Sequence, residues 1–70
     1  MKKTVILDPG HGGKDPGAKT FLSTEKDLAL DIALQVRGYL HLTKSYEVIM
    51  TRQTDEFVSL ADRAKRAKEA

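Results

Sequence analysis

The chain has 70 residues, 40% of them hydrophobic, with 12 Lys and Arg against 10 Asp and Glu, a formal charge of +2 and no cysteine. Its size bounds it at one small domain or part of one, and the lack of cysteine excludes disulfide frameworks and thiolate zinc fingers, so any metal must be held by histidine and carboxylate. Basic residues are spread along the chain rather than gathered in a stripe, which argues against nucleic-acid binding; Val5-Ile6-Leu7 is too short for a signal-peptide core or a membrane span, although Met1-Lys2-Lys3 imitates the start of a signal peptide.

Thr4 to Asp8 reads as a strand, a β-branched and apolar run without alternation, as in a parallel strand covered on both faces. Pro9 and Gly10 end it. Residues 9–24 hold four of the five glycines and both prolines, a loop composition over an unusual length for a link between strand and helix. Thr24 is the expected N-cap of the next helix, with Asp27 three residues on as a capping-box variant and Glu25 and Asp27 suiting the positive end of the dipole. That helix is expected over Glu25 to Leu42. Leu28, Ile32, Val36 and Leu40, with Ala29, Ala33 and Tyr39 beside them, give it one apolar face that should cover a sheet.

Tyr46 to Arg52, with Val48, Ile49 and Met50 inside, reads as a second unalternated strand, so strand, helix and strand form a right-handed βαβ unit with parallel strands. Ser59 and Asp62 open a second helix, expected to turn Leu60, Ala61, Ala64 and Ala67 inward and leave Arg63, Lys65, Arg66 and Lys68 solvated or ion-paired. Two strands and two helices leave edges and faces that so few apolar residues hardly cover, while ordering the chain costs roughly 1.5 kcal/mol per residue. The helical pattern also still runs at Ala70. The expected fold class is therefore α/β, the βαβα start of a three-layer fold around a mostly parallel sheet, with residues 1–70 as the N-terminal portion of a single larger domain.

Asp8-Pro9-Gly10-His11-Gly12-Gly13-Lys14-Asp15-Pro16-Gly17 follows directly on the C-terminal end of the first strand, where open α/β sheets place their ligand sites. Histidine is the main neutral metal ligand and acid/base group near pH 7, and the flanking glycines remove the Cβ atoms that would crowd an approaching group. A solvated loop histidine between turn glycines is the bland alternative. Glu25 lies three and seven residues before Leu28 and Ile32, hence on the sheet-facing side of the first helical turn, where it can converge with His11. An inward carboxylate needs a partner: the helix N-terminal amides, Lys14 or Lys19, or a cation shared with His11. One imidazole and one carboxylate make two thirds of a His₂Glu zinc site.

His41 cannot complete it, lying roughly 24 Å further along the helix and on nearly the opposite face; it reads as a surface residue near the negative end of the dipole. The phosphate-loop pattern fails at Asp8 and Asp15, and the dinucleotide fingerprint fails at Asp15. A looser anion-binding nest of glycine amides remains open. Asp8 and Asp15 could accept from the imidazole N–H or simply cap turns. Arg52, at the end of the second strand, could meet an anionic substrate group or form a surface ion pair.

The run Val5-Ile6-Leu7-Asp8-Pro9-Gly10-His11-Gly12-Gly13-Lys14-Asp15-Pro16-Gly17-Ala18 resembles the opening of the zinc-dependent N-acetylmuramoyl-L-alanine amidases of bacterial cell-wall remodelling. The likeness continues through Glu25-Lys26-Asp27, Thr51-Arg52 with Thr54-Asp55, and Leu60 with Arg63. It implies that His11 and Glu25 are the first and second zinc ligands, that a third ligand and a catalytic glutamate lie outside these residues, and that the reaction is hydrolysis of the amide between N-acetylmuramic acid and L-alanine. Peptidoglycan is then the partner, zinc the cofactor, and the location secreted or cell envelope. The 70 residues alone are expected to be inactive. The alternative is a non-catalytic glycine-loop module that binds an anion or a wall fragment without metal.

Overall fold

A computed structural model describes residues 2–69. The chain runs β1 (Lys3–Leu7), α1 (Glu25–Thr43), β2 (Tyr46–Met50) and α2 (Leu60–Glu69). The two strands pair in parallel, with Val5 opposite Val48 and Leu7 opposite Met50, and the Thr51 amide extends the ladder by donating to the Leu7 carbonyl at 3.0 Å. The expected βαβ unit is therefore present. Each strand ends earlier than its apolar run suggests, because Asp8 and Arg52 are used by side-chain bonds that turn the backbone out of the ladder.

Helix α1 starts where its capping residues place it. Thr24 is the N-cap in extended conformation, but its hydroxyl donates to the Asp27 carboxylate at 2.8 Å rather than accepting from a helical amide, so the capping box closes between side chains only. Lys44 ends the helix in the left-handed conformation, φ 59°, with its amide donating to the His41 carbonyl. The start of α2 follows the expected pattern: the Ser59 hydroxyl accepts from the Asp62 amide at 3.1 Å.

The apolar faces are less covered than their periodicity suggests. Helix α1 packs against β2 and buries Ala33, but Leu28, Ile32 and Val36 stay more than one-third exposed, since two strands about 4.8 Å apart are narrower than a helix face. In α2 the expected inward set is corrected: Leu60 is 86% exposed, whereas Arg63 is buried. The side of α2 that meets the chain is polar and grips the glycine loop.

What holds these elements together is Arg52. Only 2% exposed, it donates from Nε to the Pro9 carbonyl (3.0 Å), from Nη1 to Thr54 (2.9 Å) and from Nη2 to both Gly10 (2.8 Å) and Lys26 (3.0 Å). One cation thus ties the loop after β1, the loop after β2 and the first turn of α1. The sequence expectation of an ion pair or an anionic ligand is corrected, because carbonyl oxygens bond all three of its nitrogens. Arg52→Met keeps much of the stem but orphans these carbonyls, and should destabilise the chain by about 3 kcal/mol in urea unfolding. The half-buried Arg37→Ala, which loses one bond to Gln53, should cost less than about 1 kcal/mol.

Candidate functional site

The site is built on residues 8–25. Asp8, just past β1, accepts from the Thr51 hydroxyl (2.7 Å) and from Arg63 Nη1 (2.6 Å). Burial by itself would raise the Asp8 carboxyl, but the Arg63 and Thr51 bonds outweigh it and hold the group below the usual carboxylate range. Next, the backbone turns sharply. His11 takes φ 62°, a left-handed conformation that costs a non-glycine residue about 1–2 kcal/mol and persists only where its surroundings hold it. Gly12 follows at φ 127° and exchanges two backbone bonds with Asp15, at 2.7 and 3.0 Å. That tight return brings Asp15 back beside the His11 ring.

Three side chains meet there. His11 Nδ1 donates to Asp15 Oδ2 at 3.0 Å, while His11 Nε2 faces Glu25 Oε2 at 3.1 Å. Each carboxylate is held by a second bond: Asp15 Oδ1 accepts from the Gly17 amide (3.1 Å) and Glu25 Oε1 from the Ala18 amide (2.9 Å). The start of α1 is stitched to the same loop, since the amides of Glu25 and Lys26 donate to the carbonyls of Ala18 and Pro16. Gly17 lies so close beneath that a Cβ there would come within 2.7 Å of both Glu25 Oε1 and His11 Cδ2.

The electrostatics follow from this triad. The Asp15 hydrogen bond first, and Glu25 after it, push the His11 imidazole above its ordinary value. Asp15 is lowered by His11, and Glu25 is lowered chiefly by the Ala18 amide and then by His11. Both carboxylates therefore favour positive charge on the imidazole side of the site. The donor set also suits a metal. Two donors bonded at about 2.0–2.2 Å to one tetrahedral ion lie roughly 3.3–3.6 Å apart, a few tenths of an ångström more than the 3.1 Å between Nε2 and Oε2. A carboxylate on Nδ1 is the arrangement that leaves the Nε2 lone pair for such an ion. Among the described residues no third histidine, cysteine, aspartate or glutamate joins the pair.

His11 and Glu25 converge as helix phase suggests. His41 is at the far end of α1, exposed. Of the partners considered for Glu25, Lys14 instead sits over the Phe57 ring at 4.6 Å, and Lys19 forms a backbone bridge with Thr24. Asp15 takes the imidazole N–H, whereas Asp8 does not. The glycine nest is already filled from within the chain: the Gly12 amide donates to the Asp15 carbonyl, Gly13 to Asp55 Oδ1 and Gly17 to Asp15 Oδ1, which disfavours an anion-binding module.

Arg63 is in part a correction. It is ion-paired, with Asp8, as one of its two expected readings had it, but it is not solvated: it also donates to the carbonyls of Val58, Pro9 and His11. Helix phase gave no usable signal for it, since Leu60, three residues before it, is itself exposed, and the partners of Arg63 lie mostly in the loop after β1. Asp55, which accepts from both the Gly13 amide and Lys26 Nζ, carries no signal either, because its partners are distant in sequence.

This is an α/β unit with an imidazole–carboxylate pair at the C-terminal edge of parallel strands. Comparison with known proteins gives that class a family. The family model described as N-acetylmuramoyl-L-alanine amidase matches residues 5–70. The chain is 47% identical to the endolysin of Bacillus phage SPP1 over 72 residues, covering 100% of this chain and 26% of that protein. It is 46% identical to the sporulation-specific N-acetylmuramoyl-L-alanine amidase of Bacillus subtilis strain 168 over 66 residues, covering 90% and 25%. The crystal structure of an N-acetylmuramoyl-L-alanine amidase from Clostridium difficile 630 superposes with a TM-score of 0.91 at 41% identity, over 97% of this chain and 38% of that one. The chain belongs to the N-acetylmuramoyl-L-alanine amidase family, and it spans about a quarter of the length of the two curated relatives just described.

Two outcomes are expected from the loop geometry. A Cβ on Gly12 would fall 2.0 Å from the Glu56 carbonyl oxygen, whereas one on Gly10 meets nothing within 4 Å; Gly12→Ala should therefore cost at least about 2 kcal/mol in thermal or urea unfolding, and Gly10→Ala less than about 1 kcal/mol. Because Asp15 raises His11, the stabilisation from this pairing is complete below the free-imidazole value and is lost as pH rises through the higher folded one. Asp15→Asn should shift the His11 titration downward, read from its ring proton shifts against pH; an unmoved midpoint would contradict the assignment.

Proposed function

We propose that this chain supplies the first part of a zinc-dependent amidase site that hydrolyses the amide between N-acetylmuramic acid and L-alanine in peptidoglycan. The observation that carries this is the 3.1 Å approach of His11 Nε2 and Glu25 Oε2 in a chain of the amidase family. In this reading both side chains are metal ligands. Asp15 keeps the proton on Nδ1, so Nε2 is presented as a neutral donor, and the Ala18 amide fixes one Glu25 oxygen so that the other faces the imidazole.

A bound zinc ion supplies Lewis acidity, polarising the scissile carbonyl and acidifying water. A third protein ligand and a general base come from outside these 70 residues, so the chain by itself does not turn over substrate. Cleavage adds hydroxyl to the lactyl carbonyl, leaving a carboxylate, and returns a proton to the departing amine of L-alanine. The chain's place of action is the cell wall, outside the cell or in its envelope. No helix among the described residues is long and apolar enough to cross a membrane.

Zinc retention tests the assignment directly. His11→Ala should weaken zinc binding by at least about 100-fold in competition with a chromophoric chelator, since it removes a ligand rather than a residue behind one. Unchanged retention in that variant would sink the ligand assignment. The unsubstituted 70-residue chain should release no new L-alanine amino termini from purified peptidoglycan above a blank, and measurable release would show that the site needs nothing further.

A further inference from the structure

We propose that Arg63 is a positioning residue for His11, acting with Arg52 to set the two peptide groups on either side of that histidine; the inference rests on the zinc reading above. The peptide before His11 is held through the Gly10 carbonyl, which accepts from Arg52 Nη2 at 2.8 Å. The peptide after it is held through the His11 carbonyl, which accepts from Arg63 Nη2 at 2.6 Å. Rotation of the first peptide is φ of His11 and rotation of the second is ψ. With both planes tied to buried guanidinium groups, the left-handed turn at φ 62° is determined from outside the residue, and with it the direction of the Cα–Cβ bond that carries the imidazole.

Arg63 is itself immobilised. Nη1 donates to the Pro9 carbonyl (2.7 Å) and to Asp8 (2.6 Å), and Nε to the Val58 carbonyl (3.0 Å). The fork therefore brackets Gly10, reaching the carbonyls of the residues on both sides of it. A lysine ammonium at the same place is a point donor without the planar fork, and it cannot reproduce these directions together. The loop glycines make such a brace necessary, because Gly10 and Gly12 leave the backbone beside His11 with no side chains to restrict it. The carbonyl bonds also explain why a cation occupies the inward position of α2: an apolar residue there would cover the loop without directing it.

The test uses the chain joined to the segment that supplies the third ligand, and compares zinc affinity, from chelator competition, with the visible absorption spectrum of the cobalt(II) form, which reports ligand geometry. Arg63→Lys should bind zinc about 10–100-fold more weakly and change the cobalt spectrum, as losses behind a ligand do. Ala33→Gly, a destabilising change in the buried face of α1, should leave affinity within about twofold although it also lowers stability. Both are measured with a stabilising osmolyte, with folding checked by circular dichroism. If Arg63→Lys does not fold, Arg52→Lys, which frees the Gly10 carbonyl, must show the same loss. Affinity within twofold in a folded variant of either arginine, or an equal loss in Ala33→Gly, overturns the positioning role. Absence of zinc binding by the unsubstituted protein, with the segment that supplies the third ligand present, overturns the metal reading and this inference together.

Discussion

Two guanidinium groups taken out of water and satisfied by backbone carbonyls are the constraint on which the rest of this small structure depends. An unpaired buried cation would be prohibitive, so the chain must bring oxygens to Arg52 and Arg63, and the carbonyls of Pro9, Gly10 and His11 in the glycine-rich loop are among them. Burial pulls the Arg52 guanidinium below its usual value, yet an arginine remains charged in proteins. Its four carbonyl partners come from three segments separate in sequence. A hydrophobic core of this size could not order that loop: among the described residues Ala33 and Val58, with Pro9 of the loop itself, are the buried apolar side chains.

The same bonds explain why a long loop can carry a defined site. Loops gain order from what they are tied to, and residues 8–25 are tied at both ends and in the middle, by Thr51 and Arg63 at Asp8, by Asp55 at Gly13, and by the start of α1 at Pro16 and Ala18. His11 is consequently held between two carboxylates that are each fixed by a backbone amide. Such a constellation favours positive charge at Nε2, whether a proton or a metal ion, and the two compete for the same lone pair. In the function proposed above, the metal is the occupant.

Much of this was legible beforehand. Unalternated apolar runs identified both strands, four-residue spacing identified α1, and helix phase placed Glu25 on the side where His11 ends up. These are local signals, set by chain geometry and expressed wherever the element forms. Coverage of the apolar faces was not legible in the same way. Leu28, Ile32 and Leu60 have the periodicity of core residues but remain exposed, since burial depends on how wide a surface the partners offer.

The sequence by itself determined the order and type of the elements, the parallel βαβ connection, and the convergence of His11 with Glu25, because each follows from a repeat or a spacing along one continuous stretch. Only the tertiary structure decided that Asp15, rather than Asp8, takes the imidazole proton, that Asp55 and Thr51 brace the loop, and that Arg52 and Arg63 turn inward. Those bonds join residues as many as 55 positions apart. No local pattern encodes such a partner, and the physical rule that a charge stays in water points the wrong way until the carbonyls that replace the water are in place.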